Sequence, residues 1–557
     1  MTTKKSVKKM YCRMFQSVMK AGISTIPWRT PKLMKGAGAV RHLPAAIKRR
    51  GLKKALIVTG PTLIGRGLLD GVLEEMEEQG LLYVIYNKVE QNPTDENVED
   101  AVKVFLENGC DCMLALGGGA PLDSAKAVGA RIARPNRQIR QLQGLFRVVK
   151  QIPMLFAVPT TAGSGSETTI SAVITDTATH HKAAINDLRL MPKYAVLDPE
   201  LTLGLPPDVT AMTGMDALCH AVEAYTNDKY NSDTERELCR KAVRLIYENL
   251  LKVYENGSDI EARQKMQQAA FYAGRAFTRG GVGYVHAIGH AVGGLYGTPH
   301  GLAMAIFLPY VMRAYGDAAC KKLAELSDVC RLTTPQESDS VKADAFIGWI
   351  EELKVKMQIP QYPEMIRKAD VKQIAKWAEK EANPLYPTPE VWNRREFERF
   401  LLNVCVQGSS EKDRQCCQDK YVRKDSEKMI IDTHAHYDDE QFDEDRGEIL
   451  GKMQDAGIGM IMDAGSTILS WDKIVKLTEE YPFVYGAIGV HPDEVGNLDE
   501  TQFARMERLL DKEKIKAVGE IGLDYYWDKE NHDLQKEWFI RQLDLARKKE
   551  KPVIMLS

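Results

Sequence analysis

The stretch GGVGYVHAIGHAVGGLYGTPHGLAMA, residues 280–305, holds His286, His290 and His300 in a Gly-rich apolar frame. His286 and His290 are four apart, the spacing that places two side chains on one face of a helix. His300 follows a Gly-Thr-Pro turn, with Gly301 directly after it. Upstream, GMDALCHAVEAY, residues 214–225, repeats the device with Asp216 and His220, again four apart. Two such pairs and a turn histidine are enough to enclose a divalent metal. Three imidazoles with one carboxylate suit Fe2+ or Zn2+. A single buried histidine is more often a hydrogen-bonded core residue, but apolar helices seldom carry paired histidines idle.

Around this stretch the pattern is helical from Thr202 onward, with runs over 211–225, 234–254, 260–277 and 282–295 and more through Lys380. A Pro-rich turn, NPLYPTP at 383–389, and a last helix in VWNRREFERFLLNVC close this part. Before Thr202 the pattern alternates. KALIVTG (54–60) reads as a buried strand entering a turn. A helix stopped by Gly80, the strand LYVIYNKV and a capped helix in NPTDENVEDAVKVFLENG follow. CMLALGGGAPLDSAKAVGARIA then gives strand, glycine turn and helix, and PMLFAVPTTAGSGSET gives a second strand and turn. This alternation marks a parallel sheet with nucleotide-binding potential. Gly117, Gly118 and Gly119 would let backbone N–H groups reach a pyrophosphate at a helix N-terminus. Thr160, Thr161, Gly163 and Ser164 add hydroxyls and N–H groups for phosphate or ribose.

The chain has 557 residues and a formal net charge of −2, so no global pull toward nucleic acid or membrane is expected. No apolar run approaches the ~20 residues that span a bilayer. The basic N-terminus, MTTKKSVKKMYCRMFQ, has no continuous apolar core and reads as a solvated arm or short amphipathic helix. Ten cysteines are scattered without a CxxC pair, which fits a reduced cytoplasmic protein. The adjacent Cys416 and Cys417 lie in the polar stretch QGSSEKDRQCCQDKYVRKDSEK, a linker by composition. A new run of βα units starts at MIIDTHAHYDDEQF and stops at Ser557, directly after a strand.

Residues 15–405 resemble the iron-containing alcohol dehydrogenases, through GGGAPLDSAKAVG, PTTAGSGSE, GMDALCHAVEAY and HAIGHAVGGLYGTPHG in that order. The resemblance implies an α/β dinucleotide-binding domain (15–200) and an all-α metal-binding domain (201–406), a dehydroquinate synthase-like fold with the active site between them. It implies hydride transfer between alcohols or aldehydes and a nicotinamide. By position, Asp216, His220, His286 and His300 match the metal ligands, and His290 matches a histidine near the nicotinamide, a candidate for relaying the proton. Gly118, Gly119, Thr160 and Thr161 match cofactor contacts, and Asn92, Asp123, Thr169 and Lys182 match positions lining that groove. Members preferring NAD commonly carry an acidic residue in the turn after the first strand. This chain has Gly60 there, with Lys53, Lys54 and Arg66 nearby in sequence, so NADP is expected to serve at least as well as NAD. A homo-oligomer, a dimer, is expected.

The rest of the expected layout is a basic arm over 1–14, a linker over 407–428 and a tail over 429–557. The tail resembles the start of TatD-like metal-dependent hydrolases, a (β/α)8 barrel, through IIDTHAHYDD, GVHPDEV and GEIGLDYYWD. His434, His436 and Glu520 match metal ligands, whereas Leu556 stands where that family carries a further histidine. A half barrel leaves open strand edges and an uncovered core, so this tail is expected to fold poorly or to be a remnant without hydrolase activity. A nucleic-acid partner enters only if the tail is active.

Overall fold

The computed structural model describes residues 2–90, 92–177, 182–227, 229–407, 430–454, 458–525 and 531–555. The Cys416-Cys417 pair and Leu556 lie outside the described residues. The chain divides into two compact units, Met1–Val422 and Arg423–Ser557.

The first unit contains nine strands among its described residues: β1 Lys32–Lys35, β2 Lys54–Val58, β3 Leu82–Tyr86, β4 Cys112–Gly117, β5 Gly144–Leu145, β6 Met154–Pro159, β7 Ser171–Thr175, β8 Lys182–Asn186 and β9 Tyr194–Leu197. Six form a parallel sheet in the order β1-β9-β6-β4-β2-β3. Strand β4 is buried at every position. Its alternate residues feed two cores: Met113 and Ala115 pack with Leu56, Val58 and Leu122 on one face, and Cys112, Leu114 and Leu116 with Ala55, Ile57 and Phe156 on the other. A strand covered on both faces must be apolar throughout, which is why CMLALG reads as a continuous run. The other three strands form the order β5-β8-β7.

This sheet positions two turns. Gly117 pairs with Pro159 at the carboxyl ends of β4 and β6, and the Thr160 N–H donates to the Gly117 carbonyl at 2.9 Å. Order reverses at β2, since β3 lies on one side of it and β4 on the other. A crevice at such a switch point is where open parallel sheets bind ligands. Gly117 has φ +151°, and a Cβ there would meet Pro121 Cγ at 2.6 Å, so only glycine fits this turn.

Among the described residues nine α-helices follow, including Pro207–Thr226, Asp233–Glu255, Ile260–Gly280, Tyr284–Tyr296, His300–Tyr315 and Val371–Ala382. They enclose one apolar core that includes Met215, Leu218, Val222, Ile246, Val285, Ile288, Phe307 and Ile374. Helix Tyr284–Tyr296 stops at Gly297, which takes the left-handed conformation at φ +68° favoured at helix ends.

The N-terminus corrects one expectation. Helix Thr2–Thr25 runs through the boundary expected at 14/15, and Cys12 and Gln16 on it are buried. The solvated-arm alternative gives way because this helix has a buried face with hydrogen-bonding partners far along the chain.

The second unit is a five-stranded parallel sheet in the order β10-β11-β12-β13-β14, a partial (β/α) barrel. Its strands are Ile430–Ala435, Ile458–Ala464, Val484–Ile488, Ile515–Ile521 and Val553–Met555. Trp471, Ile488, Val518, Ile521 and Trp538 pack in one core of it, and Leu450, Ile461 and Val484 in another.

Candidate active site

Asp216 and His220 lie one turn apart on helix Pro207–Thr226, His286 on helix Tyr284–Tyr296, and His300 at the first position of helix His300–Tyr315. Gly301 lets the last of these approach: a Cβ there would stand 2.4 Å from the Met212 carbonyl oxygen. One ligand atom from each of Asp216, His220, His286 and His300 lies within 4.8 Å of the others. His220 Nδ1 is 3.9 Å and His300 Nε2 3.4 Å from Asp216 Oδ1. Asp216, His220 and His286 are buried, while the His300 side chain is 41% exposed, so the site opens on the His300 side.

Asp216 Oδ1, His220 Nδ1 and His286 Nε2 are buried without a hydrogen-bond partner. Three converging orphaned atoms are costly in a bare protein and fit a cation with nitrogen and oxygen ligands. Protonation points the same way. Burial pushes the Asp216 carboxyl up, but the neighbouring imidazoles of His220 and His300 outweigh it and the net shift is downward. Burial lowers His220 to about 3 and lowers His286 as well. Neutral imidazoles beside an ionised carboxylate are the forms that ligate metal.

Glu223 organises the pocket from behind. It is one turn beyond His220 on the same helix and is 1% exposed. It accepts the Gly283 and Val285 N–H groups at 2.8 and 2.7 Å, capping the free N-terminus of the His286 helix. Its Oε2 lies 2.5 Å from His286 Nδ1. That contact places the His286 proton on Nδ1 and leaves Nε2 as the ligand atom, the tautomer control usual behind metal-binding histidines. Burial pushes the Glu223 carboxyl up to about 7, against the pull of the Gly283 and Val285 N–H groups. The sequence signal was present: a carboxylate in an apolar helix, three residues after a ligand.

His290 stacks on His300 with ring centroids 5.2 Å apart. Its Nδ1 lies 2.7 Å from Glu381 Oε1, which also accepts the Tyr386 hydroxyl at 2.7 Å. Burial lowers the His290 pKa, but the Glu381 carboxylate outweighs it and the net shift is upward. Glu381 and Tyr386 carry no local sequence signal, because they meet His290 only through the fold.

The residues matched to the cofactor groove divide by place. Gly118 precedes helix Gly119–Ala133 as its N-cap. A Cβ on Gly118 would stand 3.5 Å from Thr161, and one on Gly119 3.2 Å from Ser164, so the two turns are in contact. Thr160 is buried. Asp123 and Thr169 face inward. Asp123 accepts the Ser166 hydroxyl at 2.6 Å and the Val173 N–H at 2.9 Å. The buried Lys126 donates to Ser166 Oγ, Thr169 Oγ1 and the Ser171 carbonyl. These residues therefore brace the second turn from beneath. Lys182 donates to Asn92 Oδ1 at 2.8 Å. Gly60 is extended at φ −93° and has room for a Cβ, the nearest atom being the Val89 carbonyl at 3.5 Å. Arg66 donates to the Gly204 carbonyl at 3.3 Å.

In the second unit, His434, His436 and Glu520 also come together. Glu520 Oε2 is 3.3 Å from His434 Nε2 and 3.6 Å from His436 Nε2. His436 Nδ1 lies 2.7 Å from the Ala464 carbonyl.

A parallel sheet with paired glycine turns, joined to a buried cluster of one aspartate and three histidines, has the parts of a nucleotide- and metal-using enzyme. The iron-containing alcohol dehydrogenase family matches residues 30–199, and the C-terminal region of the Fe-containing alcohol dehydrogenase family matches residues 210–404. The NAD-dependent methanol dehydrogenase of Bacillus methanolicus is 38% identical over 348 residues, 62% of this chain and 91% of that protein. Lactaldehyde reductase of Escherichia coli (strain K12) is 36% identical over 62% of this chain and 90% of its own length. The crystal structure of a 1,3-propanediol oxidoreductase superposes with a TM-score of 0.66 at 33% identity, over 68% of this chain and 100% of that one. The chain belongs to the iron-containing alcohol dehydrogenase family, and it is an oxidoreductase acting on CH–OH groups. Residues 431–555 match the TatD related DNase family. Among the described residues, no helix is long and apolar enough to cross a membrane.

Proposed function

We propose that Asp216, His220, His286 and His300 hold one Fe2+ and that NADP serves this chain at least as well as NAD. The observation that carries the metal assignment is the convergence of three orphaned buried atoms, Asp216 Oδ1, His220 Nδ1 and His286 Nε2. Bound there, the metal would supply Lewis-acid polarisation of the substrate oxygen and the nicotinamide would supply the hydride acceptor or donor. The protein's part is positional. The turns at Gly118–Gly119 and Thr160–Thr161 receive the cofactor phosphates, and Lys182 with Asn92 lines the same groove. His290, paired with Glu381, relays the proton between the substrate oxygen and solvent. Burial of Asp216, His220 and His286 keeps water from the pocket floor, and the exposed His300 marks the substrate's approach.

The cofactor lean rests on Gly60. Without a carboxylate in that turn, nothing accepts the ribose hydroxyls or repels a 2′-phosphate. Arg66 adds little attraction, since its guanidinium is engaged by Gly204. The substrate is a small alcohol or aldehyde. Metal analysis joined to NAD and NADP rates over a panel of short alcohols and aldehydes tests the reading, with zinc as the competing outcome. Iron at about one equivalent per chain supports the assignment, whereas activity without bound metal contradicts it.

A further inference from the structure

Helix Thr2–Thr25 lies outside the span matched by the alcohol dehydrogenase family, which starts at residue 30. It is nevertheless tied to the active-site side of the helical core. Gln16, wholly buried, donates from Nε2 to the Tyr386 carbonyl at 2.8 Å and to the Pro384 carbonyl at 3.3 Å. Arg13 donates to the Thr388 and Pro389 carbonyls at 2.8 and 2.6 Å, and to Gln16 Oε1 at 2.9 Å. Lys8 pairs with Glu379 at 2.6 Å and Lys9 with Glu396 at 3.2 Å. Apart from the Arg13–Gln16 hydrogen bond within the helix, these contacts fall on the Pro-rich turn or the helices flanking it.

Prolines cannot supply N–H donors, so a turn written NPLYPTP has few ways to fix itself from within. Its carbonyls need outside donors, and the N-terminal helix supplies four. The same turn carries Tyr386, whose hydroxyl donates to Glu381, which in turn holds His290. Hydrogen bonds therefore tie Gln16 to the Tyr386 backbone and, through the covalent body of that residue, its hydroxyl to Glu381 and His290.

We propose that Gln16 and Arg13 are positioning residues of the active site: the N-terminal helix fixes the Pro-rich turn so that Tyr386 and Glu381 hold His290 in its working orientation. The proposal rests on the proton-relay role given to His290. Glu381 Oε1 meets both the His290 imidazole and the Tyr386 hydroxyl, so fixing Tyr386 fixes the oxygen that holds the imidazole. Loosening the turn lets Glu381 and the imidazole rotate together, which slows proton transfer without touching the metal ligands.

The test is a double-mutant cycle in the full chain with Gln16→Ala and Tyr386→Phe, reading kcat, the KM for each cofactor, and bound metal. Gln16→Ala is expected to lower kcat about tenfold, part of the hundredfold or more that a positioned proton donor contributes. Cofactor KM and metal content stay at the parent values. Tyr386→Phe gives a similar loss, and the double variant is no slower than Tyr386→Phe alone, as coupled neighbours require. An unchanged kcat in folded Gln16→Ala, or losses that multiply in the double variant, overturns the proposal. Should Gln16→Ala fail to fold, the half-exposed Arg13 takes its place as Arg13→Ala, with a kcat loss expected and an unchanged kcat overturning it. His290→Ala in the same assay separates the two ideas: normal turnover there ends the relay, whereas a slowed His290→Ala beside an unaffected Gln16→Ala ends only the brace.

Discussion

The two His-rich clusters of this chain use the same ligand types in opposite settings. Asp216, His220 and His286 sit under a helical core, with orphaned atoms turned to one point and Glu223 fixing the His286 tautomer. His434 and His436 have side chains 40% and 38% exposed, and only Glu520 in that trio is buried. Bulk water reaches the second set, whereas the first is buried with three atoms left without a protein partner. Residue identity alone therefore says little; burial and the groups behind the side chains separate the buried cluster from the exposed trio.

The largest effect expected from this contrast is loss of the buried site. His286→Ala and His300→Ala each remove one of the four proposed ligands. Either should cut alcohol oxidation by roughly a thousandfold or more, the scale of several kcal/mol of lost Lewis-acid stabilisation. Metal content measured on the same samples should fall with the rate, and full activity with metal retained would break the assignment.

Next comes the group behind the ligand. Glu223→Gln replaces an acceptor of three donors by an amide that must turn a donor toward one of them. Metal affinity is expected to fall about 10–100-fold, as for other groups that orient ligating histidines, and titration against a competing chelator measures it. Unchanged affinity would reduce Glu223 to a helix cap.

A smaller shift is expected at the cofactor turn. Gly60→Asp fits the extended backbone and should move the kcat/KM ratio toward NAD about tenfold, ~1.4 kcal/mol. An unaltered enzyme that already prefers NAD a hundredfold, ~2.7 kcal/mol, would contradict the reading of that turn. The smallest effect is assigned to the tail: His434→Ala should leave alcohol oxidation at the parent rate. Metal-dependent nuclease activity that disappears in this variant would show that exposure of the trio does not prevent catalysis.

The residues of the buried cluster and its neighbour His290 were legible because their spacing is local. Asp216 with His220 and His286 with His290 each fall one helical turn apart. The central strands were equally legible, since β2, β4 and β6 are buried on both faces and read as apolar runs. Edge strands were not: KLMK in β1 pairs with YAVL in β9 across some 160 residues of chain, and neither is long or alternating enough to announce itself. Glu223 was visible as an odd carboxylate, but its partners lie 60 and more residues away. Glu381 and Tyr386 reach His290 from about 90 residues away, and Gln16 reaches their turn from 370. Spacing has no power over such contacts, because only the packed helices bring them together.

The most direct test of the account is chelation followed by restoration, run side by side on the parent chain, His286→Ala and His434→Ala. Metal content and alcohol oxidation are measured at each step. The account predicts that rate and metal fall together on chelation, and that added Fe2+ restores the parent and His434→Ala but not His286→Ala. A metal-free parent that still turns over, or restoration in His286→Ala equal to the parent's, would contradict it.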